Sequence, residues 1–217
     1  MRVEVDQEMM RRRELGDPTL PVNGELNFWI AGQFPREYRG HGIDVGASDG
    51  RFVNSTILLE EKFRWMIVSV DANPHYKPLL LKNRAFVSIC AVGKEPQDEA
   101  DFHMNLDNLE AFSALNPVRQ HPRFKEEAGT RWGTIKVRVK TLDQLLKEWE
   151  FPKLDLLCVD VEGGERDVLA GMDWSLWKPK VVVVESWEEG ELDDALPGYE
   201  RAWRTAANDC YIRKETS

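Results

Sequence analysis

The sequence predicts an α/β fold: a doubly wound, mostly parallel sheet with helices on both faces. Two observations lead to this prediction. Short apolar runs recur along the chain, as in strands that are buried on both faces, and segments with helical character lie between them. The first run enters a glycine turn, Gly46-Ala47-Ser48-Asp49-Gly50, of the kind that joins a strand to a helix in nucleotide-binding βαβ units. We therefore expect the chain to form one α/β domain over residues 1–217.

Five apolar runs are the expected parallel strands. They span residues 43–45, 66–70, 86–90, 154–160 and 181–185. Two further segments, 100–104 and 134–140, alternate apolar and polar residues, which indicates strands with one wet face.

Three helices are expected in the segments between strands, at residues 52–63, 141–149 and 165–170. The second has a capping box formed by Thr141 and Gln144, and the third ends at Gly171. Residues 1–40 are interpreted as an N-terminal extension whose first 13 residues could form a polar helix. Residues 105–132 are a long segment without a clear element, and we interpret them as a substrate-covering insertion; an ordinary surface loop is the alternative.

Composition excludes several classes of function. A net charge of -9 disfavours a general nucleic-acid-binding surface, which would be basic. The charged N-terminus has no signal-peptide pattern, and no run approaches the roughly 18 apolar residues of a membrane span. Cys90, Cys158 and Cys210 are few and widely spaced, so we expect buried reduced thiols. We therefore expect a cytoplasmic protein.

The glycine turn and Asp71 together predict a pocket for an adenosine-containing cofactor. Asp71 ends the second apolar run, where a carboxylate can accept hydrogen bonds from a ribose diol. Asp44 and Asp49 flank and interrupt the turn, where they would repel a pyrophosphate but suit a ligand with a cationic amino-acid end. S-adenosylmethionine has these properties. An ordinary βα turn, in which Gly46 and Gly50 serve only the backbone, is the alternative.

Acidic residues recur at the predicted carboxyl ends of strands, where open parallel sheets bind ligands. These residues are Asp44, Asp71, Asp160 and Glu185, and the run from Asp160 to Glu165 adds further carboxylates. Asp160, Glu162 and Glu165 are the candidate catalytic residues, with His103 as a less favoured one. Glu165 has an alternative structural role at its own helix start, and Glu162 has one in holding loop amides. The three carboxylates could hold Mg²⁺, but we expect no metal.

These residues resemble the FkbM-type methyltransferases, which are S-adenosylmethionine-dependent class I enzymes. The resemblance covers roughly residues 40–187. It rests on Ile43–Gly50, Val70–Pro74, Thr141–Asp143, Asp155–Glu165 and Val181–Glu185, and the Asp-Val-Glu-Gly-Gly-Glu run from Asp160 is its most specific element.

The resemblance implies a Rossmann-like sheet of seven strands, one of them antiparallel and supplied near residues 210–213. It implies that Asp44, Gly46 and Gly50 border the amino-acid end of the cofactor, that Asp71 binds the ribose, and that Ala72 and the Cys90–Val92 turn border adenine. The full set of predicted cofactor-binding residues is Asp44, Gly46, Ala47, Ser48, Asp49, Gly50, Asp71, Ala72, Asn73, Cys90, Ala91 and Asp160. Known members act mostly on hydroxyls of sugars, lipids and natural products.

The predicted function is therefore S-adenosylmethionine-dependent O-methylation of a small or glycan-like hydroxyl acceptor. A nicotinamide-dependent oxidoreductase is one alternative, although the G-x-G-x-x-G fingerprint is missing. A catalytically silent nucleoside-binding protein is another. A nucleic-acid acceptor is not expected, and the sequence leaves the oligomeric state open, including a homodimer.

Overall fold

The computed structural model describes residues 23–106, 113–115 and 131–215. Its main sheet has seven strands in the spatial order β3-β2-β1-β7-β8-β10-β9. The strands of this sheet are β1 (His41–Val45), β2 (Met66–Asp71), β3 (Phe86–Ile89), β7 (Leu156–Val159), β8 (Val181–Glu185), β9 (Tyr199–Arg204) and β10 (Asn208–Arg213). Only β10 runs antiparallel to its neighbours β8 and β9. The predicted doubly wound sheet, with its antiparallel strand at residues 210–213, is confirmed.

Helices cover both faces of this sheet. They are α1 (Gly24–Gly32), α2 (Ile57–Phe63), α3 (Lys77–Asn83), α4 (Leu142–Glu148) and α5 (Glu165–Ala170). Alternate side chains of the central strands point to opposite faces, as the pleat requires. Leu157 and Val159 of β7 join α4 and α5 in one apolar cluster, whereas Leu156 and Cys158 join α1 and α2 in the other. The core therefore lies in two layers, one on each side of the sheet.

A second, three-stranded sheet has the order β4-β6-β5. Its strands are β4 (Ala91–Val92), β5 (Gln97–Asn105) and β6 (Trp132–Lys140). β5 pairs antiparallel with β6, so the two alternating segments are confirmed as strands. Because β4 follows β3 after Cys90 alone, this sheet begins beside the carboxyl end of the main sheet.

The two later helices agree with their sequence signals. Thr141 caps α4 through a complete capping box with Gln144, and α5 ends at Gly171. The prediction of a helix over residues 52–63 was wrong in its first part, because α2 begins at Ile57. Asn54 explains the difference: its Oδ1 accepts hydrogen bonds from the N–H groups of Thr56 and Ile57, at 2.9 Å each, so residues before Ile57 form a turn.

The sequence did not predict α1, α3, β4, β9 or the short 3-10 helix at Asp193–Ala195. α1 lies in the segment interpreted as an extension, yet Leu26 and Ile30 are fully buried in the core. The polar helix expected over residues 1–13 lies outside the described residues. Cys90, Cys158 and Cys210 are buried and free, as predicted. In the parts of the chain that the structure describes, no helix has the length and apolarity needed to cross a membrane.

Candidate active site

A cavity of about 1100 Å³ opens at the carboxyl ends of β1, β2 and β7. Parallel strands bring these ends to one edge of the sheet, so residues far apart in sequence become neighbours. Asp44, Asp71 and Asp160 all line the cavity, which agrees with the expectation from the sequence. The other predicted cofactor-binding residues on its wall are Gly46, Ala47, Ser48, Ala72, Asn73, Cys90 and Ala91.

The glycine turn is fixed against two neighbouring strands. The N–H groups of Gly46 and Ala47 both donate to the carbonyl oxygen of Val70, at 2.9 and 3.0 Å. Gly46 has a φ of +85°, and a Cβ at this position would lie 1.6 Å from the main-chain oxygen of Asp160. Gly46 therefore permits close approach of the β7 end, which brings the backbone of Asp160 against the turn.

Asp71 is held by the same turn. Its Oδ2 accepts a hydrogen bond from the N–H of Ser48, and its Oδ1 accepts one from the N–H of Asn73, each at 2.7 Å. These bonds orient the carboxylate at the cavity wall, where the residue is 9% exposed. A carboxylate offers about four acceptor sites, so this arrangement fits a ribose diol as an additional donor.

Asp44 belongs to a buried polar network behind the turn. Its Oδ2 accepts hydrogen bonds from Asn54 Nδ2 at 2.9 Å and from Thr56 Oγ1 at 2.7 Å. Arg84, whose side chain is fully buried, lies 3.5 Å from the same oxygen and also pairs with Glu60. Burial raises the pKa of Glu60, and Arg84 opposes this rise. The network braces the turn from behind, a role that sequence reasoning missed because Arg84 lies 40 positions from Asp44.

Asp49 and Gly50 are not among the residues that line the cavity. Asp49 Oδ1 accepts hydrogen bonds from the N–H groups of Arg51 and Phe52, at 2.8 Å each. Gly50 has a φ of +78°, and a Cβ there would lie 2.5 Å from Cγ of Arg84. Asp49 and Gly50 thus have structural roles in the turn. For Gly50 this role agrees with the alternative from the sequence, in which the glycine serves only the backbone.

A carboxylate pair lies at the ends of β7 and β8. Val159 and Val184 are partners in the parallel ladder, so Asp160 and Glu185 follow on neighbouring strands. Asp160 is exposed to solvent at the cavity wall, although many protein atoms surround its carboxylate. Partial desolvation by these atoms, with repulsion by Glu165, raises the pKa of Asp160 to about 7. Burial and repulsion by Asp160 raise the pKa of Glu185 as well. The pair therefore favours sharing one proton.

Glu162 completes an acidic trio. Carboxylate oxygens of Asp160, Glu162 and Glu185 lie within 4.8 Å of one another. Such a set could hold a divalent cation, although acidic groups also cluster without one. The Mg²⁺ site considered from the sequence had Glu165 as its third ligand, and the structure does not place Glu165 in this trio. The absence of a metal stays a prediction.

Glu165 does not line the cavity in the described part of the chain. Its Oε1 accepts hydrogen bonds from the N–H groups of Val161 and Gly163, at 3.0 Å each. Burial raises the pKa of Glu165, and these N–H groups oppose the rise. The side chain therefore holds the loop in which Glu162 adopts a φ of +60°. This geometry supports a structural role for Glu165.

Cys90 borders the cavity as a neutral thiol, because burial raises its pKa to about 11. A thiol in this state is a poor nucleophile. It can pack against a flat ring, as expected for the residue beside adenine.

The second sheet supplies a wall of the cavity that was missed at the sequence level. Gln97, Glu99, Asp101 and His103 alternate along β5, and all four line the cavity together with Lys136 of β6. The alternating pattern identified a strand with one polar face, but it carried no information on what that face contacts.

The family model for the methyltransferase FkbM domain matches residues 44–202. This range includes the glycine turn, Asp71 and the acidic trio. The chain belongs to the FkbM methyltransferase family. The resemblance noted in the sequence is thereby confirmed, and with it S-adenosylmethionine as the cofactor of this FkbM domain.

Two relatives extend this finding. The methyltransferase sdnD of Sordaria araneosa is 40% identical over 79 residues, which cover 30% of this chain and 30% of that protein. The crystal structure of methyltransferase FkbM from Methylobacillus flagellatus KT matches with a TM-score of 0.56 at 15% identity. That match covers 89% of this chain and 48% of that one, and it shows the shared fold. The chain thus spans less than half the length of either relative.

Proposed function

We propose that this chain is an S-adenosylmethionine-dependent methyltransferase that methylates a hydroxyl of a sugar, lipid or natural-product-like small molecule. The observation that carries the proposal is the Asp71 carboxylate. The glycine turn, which contacts the backbone of Asp160, holds this carboxylate at the cavity wall. A ribose-binding acid, a turn that lacks a pyrophosphate fingerprint and an acidic transfer site together fit a cationic nucleoside.

The cofactor roles follow from the positions of the lining residues. Asp71 would accept hydrogen bonds from the ribose hydroxyls, and Ala72 with Cys90 would border adenine. Gly46 would leave the turn open to the amino-acid end. Asp44 also lines this region; its Oδ2 stays in the network behind the turn, and its Oδ1 would accept a hydrogen bond from the ammonium group. Among the charged residues of the described chain that line the cavity, eight are acidic and two, Lys94 and Lys136, are lysines, which supports a ligand without phosphate.

S-adenosylmethionine, when bound, would supply the methyl group, which would pass in line to an acceptor oxygen as its bond to the sulfonium sulfur breaks and S-adenosylhomocysteine leaves. Asp160 would bind the acceptor hydroxyl and accept its proton as the oxygen attacks. A base works best when its pKa lies near the working pH, and the pKa of about 7 for Asp160 meets this condition. Glu162, on the same wall, would accept a second hydrogen bond and orient the acceptor. Glu165 would hold the loop that carries both.

The acceptor would occupy the part of the cavity beyond the cofactor. Cavities for one drug-sized ligand measure about 300–1,000 Å³, and the volume of about 1100 Å³ lies just above this range, which supports a second molecule beside a compact cofactor. Ser113, Ala114 and Leu115 line this space, which supports a covering role for the segment 105–132. Most of that segment lies outside the described residues, so the role stays a prediction.

The direct test measures methyl transfer. The protein is incubated with S-adenosylmethionine and a library of hydroxyl compounds, S-adenosylhomocysteine formation is followed, and the methylated atom is identified by NMR. Methylation at oxygen is expected, whereas methylation at nitrogen or carbon would refute the O-methyl assignment.

Binding measurements separate the two alternatives. S-adenosylhomocysteine should bind with micromolar affinity by calorimetry, with NAD⁺ as the comparison ligand. Uptake of NAD⁺ instead would favour an oxidoreductase. Binding of S-adenosylhomocysteine without turnover across the library would favour the silent nucleoside-binding protein.

A further inference from the structure

Among the described residues that line the cavity, His103 supplies the imidazole. It belongs to β5 of the second sheet and not to the strand ends that would hold the cofactor. Its backbone is fixed from both sides. In β5 it pairs with Thr134 of β6, and on its other side it exchanges two hydrogen bonds with Ala114, at 2.9 and 3.0 Å. The position of the residue is therefore set by regular backbone pairing, as a preorganised binding group requires.

The imidazole ring is also oriented. Nδ1 lies 3.3 Å from Oγ1 of Thr134, a hydrogen bond that can run in either direction. In both cases Nδ1 is engaged. Nε2 forms no hydrogen bond with residues 23–106, 113–115 or 131–215, so this nitrogen remains to donate to or accept from a bound molecule.

The charged groups near His103 on this wall are an exposed ion pair and the carboxylate of Glu99. Asp101, two positions earlier on the same face, forms an ion pair with Lys136 at 2.7 Å. These two side chains are engaged with one another. His103 thus presents a ring nitrogen for hydrogen bonding on the β5 wall, apart from the carboxylates at the strand ends.

We propose that His103 is an acceptor-binding residue, whose Nε2 hydrogen-bonds the methyl acceptor and holds it on the β5 wall of the cavity. This inference rests on the proposed function, because it requires a second molecule beside the cofactor. Thr134 acts through His103 as a positioning residue, and Asp160 keeps the proton transfer.

The test uses the full chain with ¹³C-labelled histidine, saturated with S-adenosylhomocysteine. Four hydroxyl probes of different charge are titrated: methyl α-D-glucopyranoside, ethanolamine, catechol and lactate. The His103 signal is assigned by its loss in His103→Gln. A probe that binds should shift this signal and leave His41 unmoved, since His41 begins β1 at the opposite end of that strand from the glycine turn.

The kinetic arm compares His103→Ala, His103→Asn and Thr134→Val on any probe that is methylated. Loss of one hydrogen bond should raise KM about three- to tenfold in His103→Ala, with a smaller change in kcat. The asparagine variant should restore part of the loss, and the affinity for S-adenosylhomocysteine should stay within twofold throughout.

The assignment is overturned if probes bind without shifting His103, if KM is unchanged in His103→Ala, or if no probe binds the loaded chain. Failure of S-adenosylhomocysteine to bind would instead refute the proposed function itself.

Discussion

The main-chain oxygen of Asp160 occupies the place that a side chain at Gly46 would need, with 1.6 Å between that oxygen and an added Cβ. The end of β7 and the glycine turn after β1 are therefore in direct contact. This contact joins the residues proposed for cofactor binding to the residue proposed for proton transfer. A change on one side must disturb the other.

Replacement of Gly46 by alanine should destabilise the protein and abolish cofactor binding. The new Cβ would clash with Asp160, and the φ of +85° disfavours any side chain. Overpacking and left-handed strain each cost about 1–3 kcal/mol, so we expect a loss of about 2–6 kcal/mol in urea unfolding. Gly32→Ala is the control, because nothing lies within 4 Å of its added Cβ. Equal effects of both substitutions would contradict the contact.

Asp71→Asn should weaken binding of S-adenosylhomocysteine about ten- to hundredfold in calorimetry, since hydrogen bonds to a charged group contribute about 1.5–3 kcal/mol. The amide keeps one oxygen for a neighbouring N–H, so the fold should persist. Asp49→Asn is the matched control, because Asp49 caps the turn through Arg51 and Phe52. If Asp49→Asn weakens binding as much as Asp71→Asn, the ribose assignment is wrong.

Arg84→Met should destabilise the protein by about 3–5 kcal/mol, because it leaves Asp44 and Glu60 buried without their cation. The pair of Arg51 with Glu61, in which Glu61 is exposed and Arg51 partly buried, provides the comparison, and Arg51→Met should cost no more than about 1 kcal/mol. Chemical denaturation of both variants at neutral pH measures the difference. Similar losses in the two variants would mean that Arg84 does not brace the turn.

Glu165 offers a test between structure and catalysis. In Glu165→Gln, the remaining side-chain oxygen can still accept from the N–H groups of Val161 and Gly163. We therefore expect near-normal stability and methyl transfer. Glu165→Leu leaves those N–H groups unpaired, at about 1–3 kcal/mol each, and should lower the melting temperature. A stable but inactive Glu165→Gln would restore the catalytic assignment that the sequence suggested.

Much of the fold could be predicted because the signals are local. The apolar runs of β1, β2 and β8 are buried on both faces, and the capping box of Thr141 is formed by residues three positions apart. The sequence did not indicate α3 because the helix Lys77–Asn83 is short, has a proline in its first turn and buries only Leu80. Tertiary contacts, and not periodicity, determine such a helix.

The site residues that end parallel strands could be predicted from the sequence. Those that depend on contacts between distant parts of the fold could not. Asp44, Asp71 and Asp160 could be placed together because parallel strands share an edge. The pairing of Asp160 with Glu185, and the bracing by Arg84, depend on strand order and on side-chain packing. A sequence alone specifies neither. The same reason hid the β5 wall with His103.

The carboxyl pair of Asp160 and Glu185 predicts opposite pH trends for activity and stability. Methyl transfer should rise as pH increases through about 7, because Asp160 must lose its proton to act as a base.

For stability, a raised carboxyl pKa means that the folded chain binds the proton more tightly than the unfolded chain. That contribution is present at low pH and is lost as pH rises through the folded pKa. Asp160→Asn should therefore be inactive at every pH and, relative to the parent, more stable at pH 8 than at pH 5 in urea unfolding. Glu185→Gln provides the control in the unfolding measurement, because it removes the other carboxyl of the pair and keeps Asp160. A parent rate that is flat between pH 5 and 9, with an active Asp160→Asn, would assign the proton to another group.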